Sequence, residues 1–176
     1  MMILDFISEN RTLIAIISIT LLALFLLFGS SFVLVVLILA SLGLSYFMGL
    51  WKLKSIGIEL VLLISVITGM SYDPVAGAIV AFLLITIHMI ATQHVNVYLL
   101  WVIPGYAVVG YLAGSTELSI TSFGLLAALG LNAFNLVLTA LIFRVNVAKF
   151  MPFALTNVIF NAALFLYVAP LIISLA

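Results

Sequence analysis

Long apolar runs alternate with short polar gaps along the chain, and this pattern predicts membrane-spanning helices. A helix rises about 1.5 Å per residue, so roughly 17 to 25 apolar residues cross a hydrocarbon core of about 30 Å. Windows of suitable length cover residues 12–28, 32–50, 55–71, 74–93, 97–114, 118–143 and 152–174. Backbone groups in lipid need internal hydrogen bonds, and continuous apolar runs differ from the alternating strands of a membrane barrel. We therefore expect an all-α, single-domain transmembrane helical bundle of seven spans with very short loops.

All five cationic residues lie in alternate gaps between the predicted spans. Asp73 and Glu117 each lie in a gap that has no Lys or Arg. The cations lie in the other set of gaps; they are Arg11, Lys52, Lys54, Arg144 and Lys149. Because cytoplasmic loops retain Lys and Arg, this alternation places the N-terminus inside and favours seven spans. A six-span alternative, in which residues 12–50 hold one span and a surface segment, would break the alternation.

Composition excludes several classes of protein. Because 68% of the residues are hydrophobic and 6% are charged, little polar surface is left for contact with water. The lipid bilayer is the expected solvent, and the cytoplasmic membrane of a prokaryote is the expected location. No long basic stretch is present, which argues against nucleic-acid binding. The chain has no cysteine, which excludes disulfides, thiolate metal ligands and thiol nucleophiles.

Four asparagines form the most specific polar pattern within the predicted spans. Asn132 and Asn135 are three residues apart on one span. Asn157 and Asn161 are four apart on the next span, so each pair shares one helical face, and the two pairs have matching depths. Their amides can simply join the helices, at about 1 kcal/mol per hydrogen bond. They can also line a site for a neutral polar solute, because an amide offers donors and acceptors without charge. Neighbouring side chains would complete such a site: Thr139, Thr156, Phe134, Phe160 and Tyr167.

Glu59 is the only acid well inside a predicted span, roughly 6 to 8 Å from its inner boundary. Ionisable residues in a membrane are candidates for function, because their burial costs a few kcal/mol. At this shallow depth, we expect the Glu59 carboxylate to reach water beside Lys52 or Lys54. It could instead pair with His88, at a comparable depth, or with Arg144. Glu59 and His88 are also the candidate residues of an ion or proton pathway.

Small residues spaced by four predict close contacts between helices in lipid. Gly110 and Gly114 form such a pair. Their face either packs within the bundle or binds another membrane protein or a second copy of the chain. A different signal, Asp73 followed by Pro74, predicts an N-cap and the first residue of a helix.

No motif for catalysis is present in the sequence. There is no mid-span lysine for a retinal Schiff base, no His-Glu-x-x-His, no Gly-x-Ser-x-Gly and no pair of mid-span aspartates. There is also no phosphate-binding loop that could drive transport by nucleotide hydrolysis. We therefore expect no enzyme activity, no catalytic or metal-binding residues and no cofactor.

Two consecutive segments resemble a pattern found in known membrane proteins. The two segments are Gly57 to Gly69 and Asp73 to Ala78. They form a span, a turn with Gly and Pro, and a Gly-rich start of the next span. This order resembles the one in substrate-binding S components of energy-coupling-factor vitamin transporters. Rod-shape-determining small membrane proteins have a similar pattern. The resemblance covers residues 56–114 and implies a compact bundle that binds a small molecule and docks on a larger partner. Those transporter subunits have six spans with both ends inside, whereas the charges here indicate seven, so no binding residues are carried over.

Two functions follow from these features. The favoured hypothesis is a small-solute binding or transport subunit that uses the asparagine face. The alternative is a non-catalytic scaffold or assembly subunit of a larger membrane complex, which would use the Gly110 and Gly114 face.

Overall fold

A computed structural model describes Thr20 and residues 29–53, 55–144 and 146–174. Apart from Thr20, the span predicted over residues 12–28 lies outside the described residues. Within the described part, the chain is helical and contains no strand. The helices are α1 (Ser30–Leu50), α2 (Val61–Ser71), α3 (Pro74–Ala91), α4 (Leu99–Ser115), α5 (Ile120–Phe143), α6 (Met151–Ala163) and α7 (Ala169–Ser174). A 3₁₀ turn at Val147–Lys149 precedes α6, and a π-helical turn at Leu164–Val168 joins α6 to α7.

Four helical segments are apolar and long enough to cross a membrane. By length and composition these are Ser31–Leu50, Pro74–Ala91, Ile120–Phe143 and the continuous Met151–Ser174. The helical bundle of an integral membrane protein is thereby confirmed. The other two apolar helices, α2 and α4, are shorter, with 11 and 17 residues. The number of spans and their orientation remain predictions.

Helix α2 forms the core of the bundle. All residues from Val61 to Gly69 are buried, and α2 packs against α1, α3, α4, α5 and α7. An apolar helix without a polar face is expected at such a place. The hydroxyls of Ser65 and Thr68 donate to the carbonyls of Val61 and Ile64, at 2.6 and 2.7 Å. The two buried polar side chains of the helix are therefore satisfied by its own backbone.

The predicted helix over residues 55–71 is wrong in its first part, because residues 55–60 are not helical. Gly57 weakens any helix that runs through it. The Glu59 carboxylate accepts a hydrogen bond from the Leu62 amide at 2.9 Å, which satisfies a free N–H group at the start of α2. A carboxylate at a helix N-terminus is also favoured by the helix dipole. With 11 residues, α2 is about 16 Å long, roughly half the hydrocarbon thickness.

The predicted helix start at Asp73 and Pro74 is confirmed. Asp73 Oδ1 accepts a hydrogen bond from the Ala76 amide at 2.9 Å, and Pro74 is the first residue of α3. The sharp turn lets α3 return directly along α2.

Four glycines bring α2, α3 and α4 together; we call Gly69, Gly77, Gly110 and Gly114 the glycine junction. A Cβ atom at Gly69 or at Gly77 would overlap the carbonyl oxygen of Gly110. A Cβ atom at Gly114 would lie 2.6 Å from the carbonyl oxygen of Gly69. Such backbone contacts are possible only without side chains. The structure therefore places the Gly110 face inside the bundle, where it is already covered by Gly77.

The π turn fixes the position of α6 and α7 against α5. The Phe165 carbonyl accepts a hydrogen bond from Thr121 Oγ1 of α5 at 3.0 Å, and the Phe165 ring is fully buried. Gly124 of α5 leaves space for that ring, which a Cβ atom would overlap. This contact keeps Asn132 on α5 beside Asn157 on α6.

Candidate functional site

The non-helical segment before α2 is held by side chains of α6. The Gly57 amide donates to Thr156 Oγ1 at 2.8 Å, and the Gly57 carbonyl accepts from Asn157 Nδ2 at 3.0 Å. A Cβ atom at Gly57 would lie 2.5 Å from the Cβ of Asn157 and from the carbonyl oxygen of Phe153. The close approach therefore requires glycine. Irregular backbone at membrane depth must be buried in protein and hydrogen-bonded, and α6 supplies both conditions here.

The Glu59 side chain is 2% exposed and lies inside the bundle. Its Oε2 accepts from the Leu62 amide at 2.9 Å. Its Oε1 accepts from Asn161 Nδ2 at 3.1 Å and from the Tyr106 hydroxyl at 3.3 Å, and Asn157 Nδ2 lies 3.5 Å away. The expectation that Glu59 reaches water beside the lysines is wrong, because these donors hold the carboxylate inside.

The predicted ionic partners of Glu59 lie elsewhere. His88 Nδ1 is 2.9 Å from Ser45 Oγ of α1, so the ring is bound to a neighbouring helix. Arg144 is exposed at the end of α5, where its φ of 50° ends the helix. Among the described residues Glu59 forms no ion pair, and its hydrogen-bond donors are all neutral. The predicted pairing with His88 or Arg144 is therefore wrong.

The asparagines of α5 and α6 are hydrogen-bonded to each other. Asn132 Nδ2 donates to Asn157 Oδ1 at 2.8 Å. Asn161 Nδ2 donates to the Asn157 carbonyl at 3.1 Å as well as to Glu59. With the bond from Asn157 to the Gly57 carbonyl, these contacts connect α5, α6 and the segment before α2. They also aim the amide nitrogens of α6 at the carboxylate.

A cavity of about 290 Å³ lies beside this network, between the segment before α2 and helices α3, α4, α5 and α6. Its polar lining includes Glu59, His88, Asn132, Asn135 and Thr139. Ser55 and Lys149 also line it, and because both are exposed they mark its mouth. The volume is near the lower end of small-molecule sites, about 300 to 1,000 Å³.

The four predicted asparagines have two different positions relative to the cavity. Asn132 and Asn135 line it. Asn157 and Asn161 are not part of its lining; both are buried, and their amide nitrogens are directed at Glu59. The two candidate residues of the ion pathway, Glu59 and His88, line the cavity, although they do not contact each other.

Two buried polar atoms of the cavity lining have no hydrogen-bond partner among the described residues. They are Trp101 Nε1, a donor, and Asn135 Oδ1, an acceptor. An unpaired polar group in a protein interior costs about 1 to 3 kcal/mol. Both atoms are enclosed by protein, so a molecule in the cavity would contact them only after these side chains shift. Asn161 Oδ1 is also unpaired, but it does not line the cavity.

Aromatic side chains form much of the remaining lining. We call Tyr98, Trp101, Tyr106, Phe150 and Phe153 the aromatic wall. The Tyr98 ring lies 5.4 Å from Trp101 and 5.8 Å from Phe150, both in edge-to-face contact. Such contacts fix the rings relative to one another.

Sequence reasoning missed Trp101 and Tyr106, and it placed other aromatic residues at the site. Phe134 and Tyr167 are 45% and 72% exposed, so they face away from the cavity, and their expected contribution is wrong. The runs around Trp101 and Tyr106 are apolar on every face, so periodicity did not distinguish their inward side chains. Their residue types gave a usable signal: a buried Trp or Tyr needs a hydrogen-bond partner, so these two residues could have been expected near other polar groups.

Within the described ranges, no group of three or more metal-ligating side chains lies close enough together to hold a metal ion. Comparisons of the chain with models of protein families, with curated proteins and with solved structures gave no match. Function is therefore inferred from the cavity and its lining.

Proposed function

We propose that the chain is an integral membrane subunit that binds or transports a small solute in the cavity lined by Asn132 and Asn135. The observation that carries this proposal is the cavity itself, whose lining combines an aromatic surface with polar side chains of Glu59, Asn132, Asn135 and Thr139. Apolar contact with the rings supplies affinity, and the polar groups fix the orientation of a solute.

The volume and lining of the cavity support a solute of metabolite size. The volume is about 290 Å³, and the lining combines aromatic surface with a few polar groups. This combination is typical of small-molecule sites, in which apolar contact supplies affinity and polar groups fix orientation.

The position of the mouth supports access from the cytoplasm. Lys149 lies at the mouth, and Ser55 directly follows the gap that holds Lys52 and Lys54. Under the positive-inside rule these gaps are cytoplasmic. Since the chain has no cysteine, Lys149→Cys and Glu117→Cys give single labelling sites in opposite sets of gaps. In right-side-out vesicles, a membrane-impermeant maleimide should label Glu117→Cys and leave Lys149→Cys unlabelled until the membrane is opened.

Binding is tested by thermal denaturation of the purified protein against a panel of vitamins, amino acids, nucleosides and amines. At least one compound should raise the Tm in a saturable manner. Asn135→Leu should abolish that rise, because it replaces a polar residue of the lining with an apolar one. Val137→Leu is the matched control, since Val137 is on the same helix and is 55% exposed on the outer surface.

Two results would contradict the proposal. One is a panel in which no compound shifts the Tm of the wild-type protein. The other is a compound whose effect is the same in the wild type and in Asn135→Leu, because such a compound would bind outside the cavity. Uptake into proteoliposomes of a compound that passes both tests then separates transport from binding.

A further inference from the structure

We propose that the solute is an organic cation, such as a protonated amine, held between the Glu59 carboxylate and the aromatic wall. The inference rests on the proposed function and names the class of solute. The amides alone favour a neutral solute, as the sequence suggests. The structure favours a charged solute instead, because Asn157 and Asn161 direct their amide nitrogens at Glu59 and not into the cavity.

The first observation is the state of the Glu59 side chain. It lines the cavity, is almost fully buried and has no ion-pair partner among the described residues. Hydrogen bonds from neutral donors stabilise a carboxylate, but a buried charge without an opposite charge remains costly. A ligand ammonium group can supply the opposite charge.

The second observation is the aromatic wall. The Tyr106 hydroxyl contacts Glu59 at 3.3 Å, so the wall and the carboxylate meet at one place in the cavity. The Trp101 ring also lines the cavity. A cation over the face of Trp, Tyr or Phe is attracted by the ring, by about 0.5 to 2 kcal/mol according to exposure. Several aromatic rings around one acid therefore suit an organic cation better than an anion or a sugar.

The other charged and titratable groups of the cavity do not oppose this assignment. Lys149 is exposed at the mouth, where water and salt screen its charge. The His88 ring is bound to Ser45, and the His94 ring lies beside Thr92, with Nδ1 2.9 Å from its hydroxyl. Among the described lining residues, Glu59 is the only acid.

The test uses three probes that share one skeleton: 2-phenylethylamine, 2-phenylethanol and 3-phenylpropanoate. The chain has two tryptophans, and Trp51 is 67% exposed, so a Trp51→Phe protein reports on Trp101 alone. Fluorescence of Trp101 is titrated with each probe in lipid vesicles that contain no other protein. We expect saturable binding of the amine with a Kd at least tenfold lower than that of the alcohol, and no saturable binding of the carboxylate.

The role of the charge is tested by Glu59→Gln, which keeps a hydrogen-bonding side chain of similar size. This change should reduce the preference for the amine over the alcohol to about onefold. Glu117→Gln, at an exposed acid far along the sequence from the cavity residues, should keep the preference. If Glu59→Gln does not fold, the comparison of amine and alcohol in the Trp51→Phe protein still decides the question.

Equal or tighter binding of the alcohol would overturn the inference, and so would the absence of saturable amine binding. In either case the proposed function could still hold. It fails only if no solute of the wider panel gives a Tm shift that is lost in Asn135→Leu. The two proposals can thus fail separately.

Discussion

The two ends of α2 meet their neighbours in different ways. At the C-terminal end, Gly69 belongs to the glycine junction, where backbone lies against backbone without space for a methyl group. At the N-terminal end, Glu59 and the α6 asparagines form a hydrogen-bonded network beside a cavity of about 290 Å³. One central helix therefore connects a tightly packed half of the bundle with a half that contains a polar cavity.

The difference follows from what each residue type does in lipid. Small residues let helices approach closely and gain van der Waals contact, which is a main source of helix association in a membrane. Polar side chains need partners at hydrogen-bond distance, and long ones such as Glu59 keep the backbones apart. We therefore expect substitutions at the glycine junction to affect mainly stability, and substitutions at the cavity to affect mainly binding.

The largest effect is expected for Gly110→Leu. A Cβ atom at Gly110 would overlap the Gly77 backbone, so α3 and α4 would have to separate. Overpacking a core costs about 1 to 3 kcal/mol and sometimes more. We expect a loss above this range, seen as little folded protein in size-exclusion chromatography and in SDS unfolding titrations.

Val108→Leu is the control for this prediction, because Val108 is on the same helix and is 56% exposed. It should be nearly as stable as the wild type. Equal stability of the Gly110 and Val108 variants would show that the glycine junction is not tightly packed. It would also reopen the alternative that this face binds a partner.

A smaller effect on stability is expected for Gly57→Ala, in the segment before the N-terminal end of α2. The added methyl group would lie 2.5 Å from the Asn157 Cβ atom, so the segment before α2 must move away from α6. We expect a loss of about 1 to 3 kcal/mol in the free energy of unfolding. The solute-dependent rise in Tm should also disappear, since Glu59 moves with the segment.

Gly43→Ala is the matched change for Gly57→Ala, because no described atom outside its own helical turn lies within 4 Å of the position that its Cβ would take. It should keep both stability and the solute response. If Gly57→Ala behaves in the same way, the network between residue 57 and α6 does not position the cavity.

The sequence predicts the packed half of the bundle better than the polar half. Spacing of small residues predicted the contact at Gly110 and Gly114, and the cap at Asp73 predicted the start of α3, because these are local signals. The position of Glu59 could not be obtained in this way. Depth along an assumed helix indicated a surface carboxylate, whereas α2 begins only at Val61 and the non-helical segment before it turns Glu59 inward.

The asparagines show where local reasoning stops. Matching depths correctly suggested that amides of neighbouring spans could meet, and Asn132 bonds to Asn157. Which amides line the cavity depends on the segment before α2, since that segment attracts Asn157 and Asn161 through Gly57 and Glu59. Tyr106 and Trp101 of α4 also line the cavity. Helix α4 has no polar face, so its sequence does not show which side is turned inward.

The network itself can be measured by a double-mutant cycle of Asn132→Ala and Asn157→Ala. Their direct hydrogen bond is 2.8 Å long and buried. Coupling energies between polar groups in membrane helices average about 0.6 kcal/mol and reach about 1.7 kcal/mol. Because this bond is short and enclosed, we expect a value in the upper part of that range. Additive single changes would mean that the two amides are held by their other partners.

The smallest effect, and the only gain, is expected for Gly130→Ala on α5. Gly130 is exposed, and no atom lies within 4 Å of the position of its Cβ. Alanine restricts the unfolded chain and favours the helix by about 0.5 to 1 kcal/mol relative to glycine. We therefore expect the unfolding free energy to rise by up to this amount, whereas every substitution at the glycine junction lowers it. A clear loss of stability in Gly130→Ala would mean that this glycine also touches a backbone, supplied by residues outside the described ranges or by a second copy of the chain. Unfolding titrations at two protein concentrations distinguish these sources, because only the second depends on concentration.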